Sequence, residues 1–257
     1  MIDLSEKIGL KVQMGEDFRL TFGDGVVCEG ESVRKLSDLK PVVRDQNMEL
    51  TDEPAYYMYR NVRRAGDEAK ISEKHLRFDL TVIPPRMLGE EFIKTSGHFH
   101  PKIWGSDLSY PELYFVVNGQ ASYLMQKEGG SEVILARVLA GEAVLMTPNF
   151  GHVTVNEGSE AVVMANWVSL EFNSEYGEYE TKQGGAYYLI SENGETKFVK
   201  NEKYEKNFDL RLLSPKSGEI LGVNSNDIYG AIDRADLGFL NKPQEYLEMM
   251  RIENLYE

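Results

Sequence analysis

The residues able to do chemistry in this chain are concentrated in two segments. GHFH at 97–100 carries His98 and His100, Glu112 opens the run ELYFVV that follows, and His152 begins HVTVN. The chain has only four histidines, and three of them lie here. On a strand, residues i and i+2 project to the same face, so His98 and His100 present two imidazoles side by side. With a third imidazole from His152 and a carboxylate from Glu112, the donor set suits a divalent transition metal. A single strand histidine is ordinarily a hydrogen-bonded core or surface residue; the concentration of three beside a carboxylate is what points to metal. His75 stands apart and reads as structural or surface. The one cysteine, Cys28 in VVCEG, reads as a small buried residue and not a nucleophile. The lack of a thiolate in the cluster argues against a structural zinc site.

These residues need strands to hold them. From Leu76 the pattern is strongly β: LRFDLTVI alternates and stops at Pro84-Pro85. EEFIKTSGHFH reads as the first metal-bearing strand and PKIWGSDLSYP as a loop. ELYFVV and QASYLMQ flank Asn118-Gly119, the strongest short hairpin signal in the chain. EVILARVL and AVLMTP flank a turn at Ala140-Gly141-Glu142, and HVTVN and AVVMANWVSLEF flank Glu157-Gly158-Ser159-Glu160. Short strands with turns this regularly spaced indicate a sandwich or barrel. Upstream, LKVQ, FRLTF, VVCEG and YYMYRNV read as strands. Gly23-Asp24-Gly25 reads as a turn, SVRKLSDLK as a short helical or irregular link capped by Ser32, and RRAGDEAKISEK as a loop. Downstream, NSEYGEYETKQGG reads as a loop, and AYYLI and TKFVKN as a hairpin around Glu192-Asn193-Gly194. RLLSPKSGEILGV can form strands, and PQEYLEMMRIENLYE reads as a helix with Pro243 in its first turn. The expected organisation is a barrel domain with N-terminal strands over residues 1–200. An extension over 201–257 would cap the barrel, cover the pocket or join a dimer interface.

Composition sets outer limits. The 257 residues are 42% hydrophobic, as in ordinary globular proteins, and no apolar run approaches the ~20 residues of a membrane span. The first residues, MIDLSEKIGLKVQ, lack the basic start and apolar centre of a signal peptide. A lone cysteine excludes an internal disulfide and fits a reducing cytoplasm. The formal charge of −14 repels nucleic acid and opposes anionic substrates at long range, so a phosphorylated ligand would need local donors.

TSGHFHPK, ELYFVVNG, GHVTVN and EYGEYE together resemble the cupin-type glucose-6-phosphate isomerases, found mainly in archaea, over roughly residues 18–200; SVRKLSDL and TVIPPRMLGEEF add to the likeness. The resemblance implies an all-β, cupin double-stranded β-helix (jelly-roll) barrel, with N-terminal strands and a mixed C-terminal extension ending in a helix. It implies a homodimer acting on a phosphorylated hexose, and composition and charge add the expectation of a cytoplasmic protein without nucleic-acid or membrane partners. It makes His98, His100, Glu112 and His152 the ligands of one divalent metal per subunit, Fe(II) foremost, with Mn(II), Ni(II) or Zn(II) possible. Thr81, Thr95, Gly97 and Tyr176 would surround the sugar phosphate, with Lys102 and Tyr114 near the pocket and Glu112 as the base. The reaction would be aldose–ketose isomerisation by proton transfer through a cis-enediol, or by a metal-assisted hydride shift. A cupin oxygenase and a non-catalytic sugar-phosphate binder are the alternatives.

Two features depart from that family. The loop from His100 to Glu112 is about five residues longer than the resemblance leads one to expect, which makes Asp107 a rival carboxylate; Glu112 is preferred because it leads the apolar run. The extension beyond residue 200 is the other departure. A parity conflict also arises: Thr95 and Gly97 alternate with His98 and His100, so a regular strand would aim Thr95 away from the metal. A bulge or bend near Gly97 is therefore expected.

Overall fold

Alternating β-branched, aromatic and aliphatic residues make strands the dominant regular structure of this chain, with only short helices between them. The computed structural model describes residues 1–205, 209–216, 220–223 and 227–257. The strands are β1 (Ile2–Asp3), β2 (Val12–Met14), β3 (Leu20–Phe22), β4 (Val26–Lys35), β5 (Pro54–Arg64), β6 (Leu76–Ile83), β7 (Met87–Leu88), β8 (Glu91–Phe92) and β9 (Glu112–Asn118). They continue with β10 (Gln120–Gln126), β11 (Val133–Leu139), β12 (Ala143–Met146), β13 (Gly151–Val155), β14 (Val162–Ser169), β15 (Tyr187–Glu192), β16 (Glu195–Lys200) and β17 (Leu210–Leu213).

A six-stranded sheet, ordered β12-β9-β14-β6-β5-β4, and a four-stranded sheet, ordered β13-β10-β11-β17, form the two walls of a cupin barrel. Their inner faces meet: the Tyr114 and Tyr123 rings lie 5.4 Å apart, and the Tyr123 hydroxyl reaches the Met164 sulfur at 3.4 Å. Both faces of the central strands are buried. Trp167 on β14 donates its indole N–H to the carbonyl of Ile228 at 2.9 Å, and Tyr229 packs edge-on against Phe78. That explains why β9 and β14 read as near-continuous apolar runs instead of alternating ones.

The turns behave differently from a meander. Asn118-Gly119 does turn the chain, with Gly119 at φ 74°, yet β9 and β10 do not pair. β9 lies between β12 and β14, whereas β10 lies between β13 and β11. The turn at 140–142 likewise links β11 to β12 in the other sheet, and 157–160 links β13 to β14. These tight turns pass the chain from one wall to the other, which is what winds two sheets into a double helix of strands. Gly119 is needed there because a Cβ would stand 2.8 Å from the Ala161 carbonyl oxygen. The hairpin at 192–194 does form, with β15 and β16 antiparallel and Asn193 and Gly194 both at positive φ.

Other local expectations are corrected by tertiary pairing. Ser32 is no helix cap; it lies within β4, which pairs with β5 from Val26 to Lys35, and a 3-10 turn at Ser37–Val42 follows. Residues Glu68–Glu73, expected as loop, form a short helix anchored by the buried Ile71. The segment 91–100 is a strand only at Glu91–Phe92. Beyond it, isolated bridges join Lys94 to Val155, His98 to His152 and Phe99 to Glu175.

The C-terminal residues pack on the barrel. β17 extends the four-stranded sheet by pairing parallel to β11. The expected strand-forming run continues into 217–219, which lie outside the described residues. The C-terminal helix is shorter than PQEYLEMMRIENLYE suggests: a 3-10 turn at Pro243–Glu245 and a helix at Ile252–Leu255 are separated where Arg251 adopts extended backbone. Ser214 and Glu257 exchange backbone hydrogen bonds, and the buried Tyr256 hydroxyl donates to the Leu145 carbonyl on β12 at 2.6 Å. Tyr256→Phe leaves that buried carbonyl without this donor. We expect a loss of ~1–2 kcal/mol in denaturant unfolding, with turnover unchanged.

Candidate metal centre and active site

Three elements converge to build the site. β13 carries His152, whose backbone exchanges hydrogen bonds with that of His98 at 3.0 and 3.2 Å. β9 opens with Glu112, and β14 supplies Asn166, whose amide donates to Glu112 Oε1 at 2.7 Å. The His100 ring places Nδ1 2.8 Å from the Tyr110 carbonyl. A carbonyl only accepts, so Nδ1 carries the proton and Nε2 presents its lone pair to the cluster.

The donor atoms are close. Glu112 Oε2 lies 3.2 Å from His100 Nε2, 3.6 Å from His152 Nε2 and 4.0 Å from His98 Nε2, and the two Nε2 atoms of His98 and His100 are 3.1 Å apart. All four donor atoms lie within 4.8 Å of one another. Donors at right angles around an ion with bonds of ~2.1 Å stand ~3 Å apart. Glu112 Oε2 is buried without a hydrogen-bond partner, although it faces three imidazoles. A buried orphan carboxylate oxygen is costly, and a cation held by these four residues would satisfy it. The rival Asp107 is fully exposed on the loop and pairs with Lys102 at 3.7 Å.

Protonation states agree with a ligand set. Burial pushes the His98 imidazole well below its ordinary value, with His152 and His100 adding to the effect. Burial takes His152 down to about 4, although Glu112 pulls the other way. Burial alone would raise Glu112, but the facing His100 imidazole, with His152 and Arg77 nearby, holds it below the usual carboxylate range. Neutral imidazoles and an anionic carboxylate are the forms that bind metal.

The pH consequence has a definite sign. An unfolded histidine takes up its proton near pH 6.5, whereas folded His152 does so only near 4. Between those values the unfolded state binds more protons, so stability of metal-stripped protein falls as pH falls. The slope approaches ~1.4 kcal/mol per pH unit for this one residue, about 3 kcal/mol in all. Urea unfolding of metal-stripped protein at pH 7.5, 5.5 and 4.5 measures it. A slope unchanged in His152→Ala would contradict the assignment to this residue.

Thr81, Thr95, Gly97, Tyr114 and Tyr176 line the same cavity as the cluster. Lys102 does not; it lies in a neighbouring depression on the exposed loop. The parity conflict is resolved by a bend: Gly97 adopts φ 77°, and Thr95 Oγ1 accepts the Thr154 N–H at 3.0 Å. Tyr114 places its hydroxyl 3.2 Å from His152 Nε2. Sequence reasoning missed Tyr56, Ser96 and Thr154, which add hydroxyls to the cavity, and Phe172, whose ring lies 4.3 Å from that of His100. It also missed Arg60 and Arg77. A signal was present: Arg77, Asp79 and Thr81 are i, i+2 and i+4 on one face of β6, so a cavity-facing threonine implies two charged neighbours turned the same way. Cys28 is half-buried with a raised thiol pKa, caused by burial, and His75 is an exposed partner of Glu171 at 2.6 Å.

Comparison with known proteins places this geometry. The model of the glucose-6-phosphate isomerase (GPI) family matches residues 33–207. The glucose-6-phosphate isomerase of Pyrococcus furiosus is 31% identical over 195 residues, spanning 73% of this chain and 96% of that protein. That of Pyrococcus horikoshii is 31% identical over 207 residues, spanning 78% and 98%. A structure of oxalate decarboxylase from Bacillus subtilis overlays 44% of this chain and 25% of its own, at 18% identity and a TM-score of 0.32, too slight a likeness to bear on the site. The relatives are covered almost whole, so this chain carries residues beyond their length. With the isomerase model spanning 175 positions around the histidine–glutamate cluster, the chain belongs to the cupin-type glucose-6-phosphate isomerase family.

Proposed function

We propose that this chain interconverts glucose 6-phosphate and fructose 6-phosphate in the cavity that holds His98, His100, Glu112 and His152. The observation that carries the reading is one cavity joining these four donors to a set of hydroxyls, in a member of this isomerase family. The oxygenase and binding-protein readings have no comparable support. The four residues would hold a divalent ion, Fe(II) foremost, with Mn(II), Ni(II) and Zn(II) compatible with the same donors. When bound, that ion supplies Lewis-acid polarisation of the sugar carbonyl.

The chain's own residues do the rest. Thr81, Thr95 and Tyr176 donate hydroxyls to the phosphate, and the bend at Gly97 brings backbone close to it. Phe172 and the carbonyl of Tyr110 hold His100 in place and close that side of the cavity to water. Glu112 has one oxygen held by Asn166 and the other free of protein donors. In the proton-transfer route it takes the proton from C2 of the open-chain aldose and returns it to C1 of the cis-enediol, while the hydroxyl proton of O2 passes to O1. Its position among three imidazoles favours a second route, in which Glu112 would be a ligand only and hydrogen passes with its electron pair from C2 to C1 as the hydroxyl proton of O2 moves to O1. Turnover in deuterated water separates them, because solvent deuterium enters the sugar carbon only by the first.

Residues 1–200 are read as the barrel domain and 201–257 as an extension that buttresses it. We assign a homodimer in the cytoplasm, acting in glycolysis and gluconeogenesis; no helix among the described residues is long and apolar enough to cross a membrane. The deciding experiment strips metal, restores each ion separately under nitrogen, and follows both directions by coupled assay. Turnover returning with Fe(II) or Mn(II) is expected. Turnover with none of the four ions rejects the reading, and activity confined to iron with oxygen present favours an oxygenase.

A further inference from the structure

The cavity carries charge that its hydroxyls do not explain. Asp79, fully buried on β6, accepts Arg60 Nη1 and Arg77 Nε at Oδ2, each at 2.8 Å, and the Asn61 N–H at Oδ1 at 3.0 Å. Both arginines line the cavity of the metal cluster. Two guanidiniums sharing one carboxylate leave this wall with a net positive charge. Burying the Asp79 carboxylate between two part-exposed guanidiniums is a weak source of net stability, so its placement on a substrate cavity calls for another account.

Register places the triad along the substrate. Val168 on β14 pairs with Arg77 on one side and Glu112 on the other, so Arg77 and Glu112 stand at one level, two strand spacings or ~10 Å apart at the backbone. Thr81 stands four residues further along the same face of β6, ~13 Å from Arg77 at the backbone. One strand therefore carries a cation at the level of the proposed catalytic carboxylate and a hydroxyl at the proposed phosphate end. Asp79 engages only Nε of Arg77 in this triad, which leaves the terminal nitrogens as donors. Arg77 is close enough to help hold Glu112 below its ordinary value.

We propose that Arg77, with Arg60 beside it, contacts the sugar oxygens at the C1–C2 end, and that Asp79 is the positioning residue for both. This rests on the isomerase reading. Negative charge develops on those oxygens as hydrogen leaves C2, and a guanidinium held in advance stabilises it more than it stabilises the neutral substrate. A ligand with permanent charge at that end gains most: the aldonic acid phosphate one carbon shorter than the substrate, with a carboxylate where C1 and C2 react.

Arg77→Gln tests this in metal-loaded enzyme, with metal content and melting temperature as controls. We expect kcat to fall ~30–300-fold with KM changed less than ~3-fold, and the inhibition constant of the aldonic acid phosphate to rise in parallel with the loss of kcat/KM. Arg77→Lys should recover part of both, and Asp79→Asn should lower both while Lys stays ineffective as a substitute in that background. If Arg77→Gln fails to fold, Arg77→Lys and Arg60→Gln are read by the same two constants. Wild-type turnover with kcat/KM and analogue affinity of the variants within twofold of wild type overturns the proposal and leaves the isomerase reading standing. A wild type without turnover sinks the isomerase reading. Calorimetric binding of the analogue then judges the arginines: affinity lost in Arg77→Gln retains anion recognition, and affinity kept rejects it.

Discussion

His152→Ala is expected to abolish measurable isomerisation, with a loss on the order of 10³-fold or more in turnover at saturating Mn(II) or Fe(II). The size follows from how much converges on this ring. Its Nε2 stands 3.6 Å from the orphan Glu112 oxygen and 3.2 Å from the Tyr114 hydroxyl. Its burial, which takes the pKa down to about 4, keeps it neutral at any pH where the enzyme would work. The variant should retain its backbone pairing with His98, which involves main-chain atoms alone. The loss should therefore appear as metal content near zero after desalting, with a far-ultraviolet circular dichroism spectrum like that of wild type. Asn166→Ala is the graded companion: it removes the amide that holds Glu112 Oε1 but leaves all four metal-binding side chains in place, and a 10–100-fold weaker metal affinity is expected. Near-normal turnover of His152→Ala would remove the histidine from the site altogether.

The donor set was legible because its residue types are scarce and specific. Three of four histidines in two short segments leave few other readings, and strand parity puts His98 and His100 on one face without knowledge of the fold. The existence of most strands was legible for the same reason. What pairs with what was not. Asn118-Gly119 has the local chemistry of a hairpin, and a one-glycine turn forms there; but whether β10 folds back on β9 or crosses to the opposite wall depends on β13 and β14, which arrive far later in the chain. The helix at Glu68–Glu73 was missed because a single buried residue, Ile71, anchors it, and one apolar position makes no period. Arg60, Arg77 and Asp79 were missed because charged residues in a strand read as the solvent face, and only closure of the barrel turns that face inward. Lys102, which only the family resemblance put near the pocket, lies on the exposed loop beside Asp107 and does not line the cavity of the cluster.

Gly97→Ala should damage both fold and site, and the reason is visible in the backbone. Residue 97 adopts φ 77°, where an L-residue is strained by ~1 kcal/mol. Space is the larger problem. A Cβ would meet Val153 Cγ2 at 2.6 Å and the Tyr179 ring at 2.8 and 2.9 Å. Tyr179 is fully buried and Val153 nearly so, hence neither can yield without moving β13 or the helix at Gly177–Thr181. Overpacking of this kind costs ~1–3 kcal/mol, for a total near 2–4 and a fall in Tm of ~5–15 °C for a chain of this length. The backbone cannot relax freely, because His98 and Phe99 on the far side of the bend are bridged to His152 and Glu175. Strain at 97 is thus transmitted to the first metal ligand and to Thr95, whose aim into the cavity depends on the same bend. Calorimetry and metal titration of the variant should show both losses together. Wild-type Tm with wild-type metal affinity would mean that the left-handed turn at Gly97 is not what reconciles the threonine and the histidines.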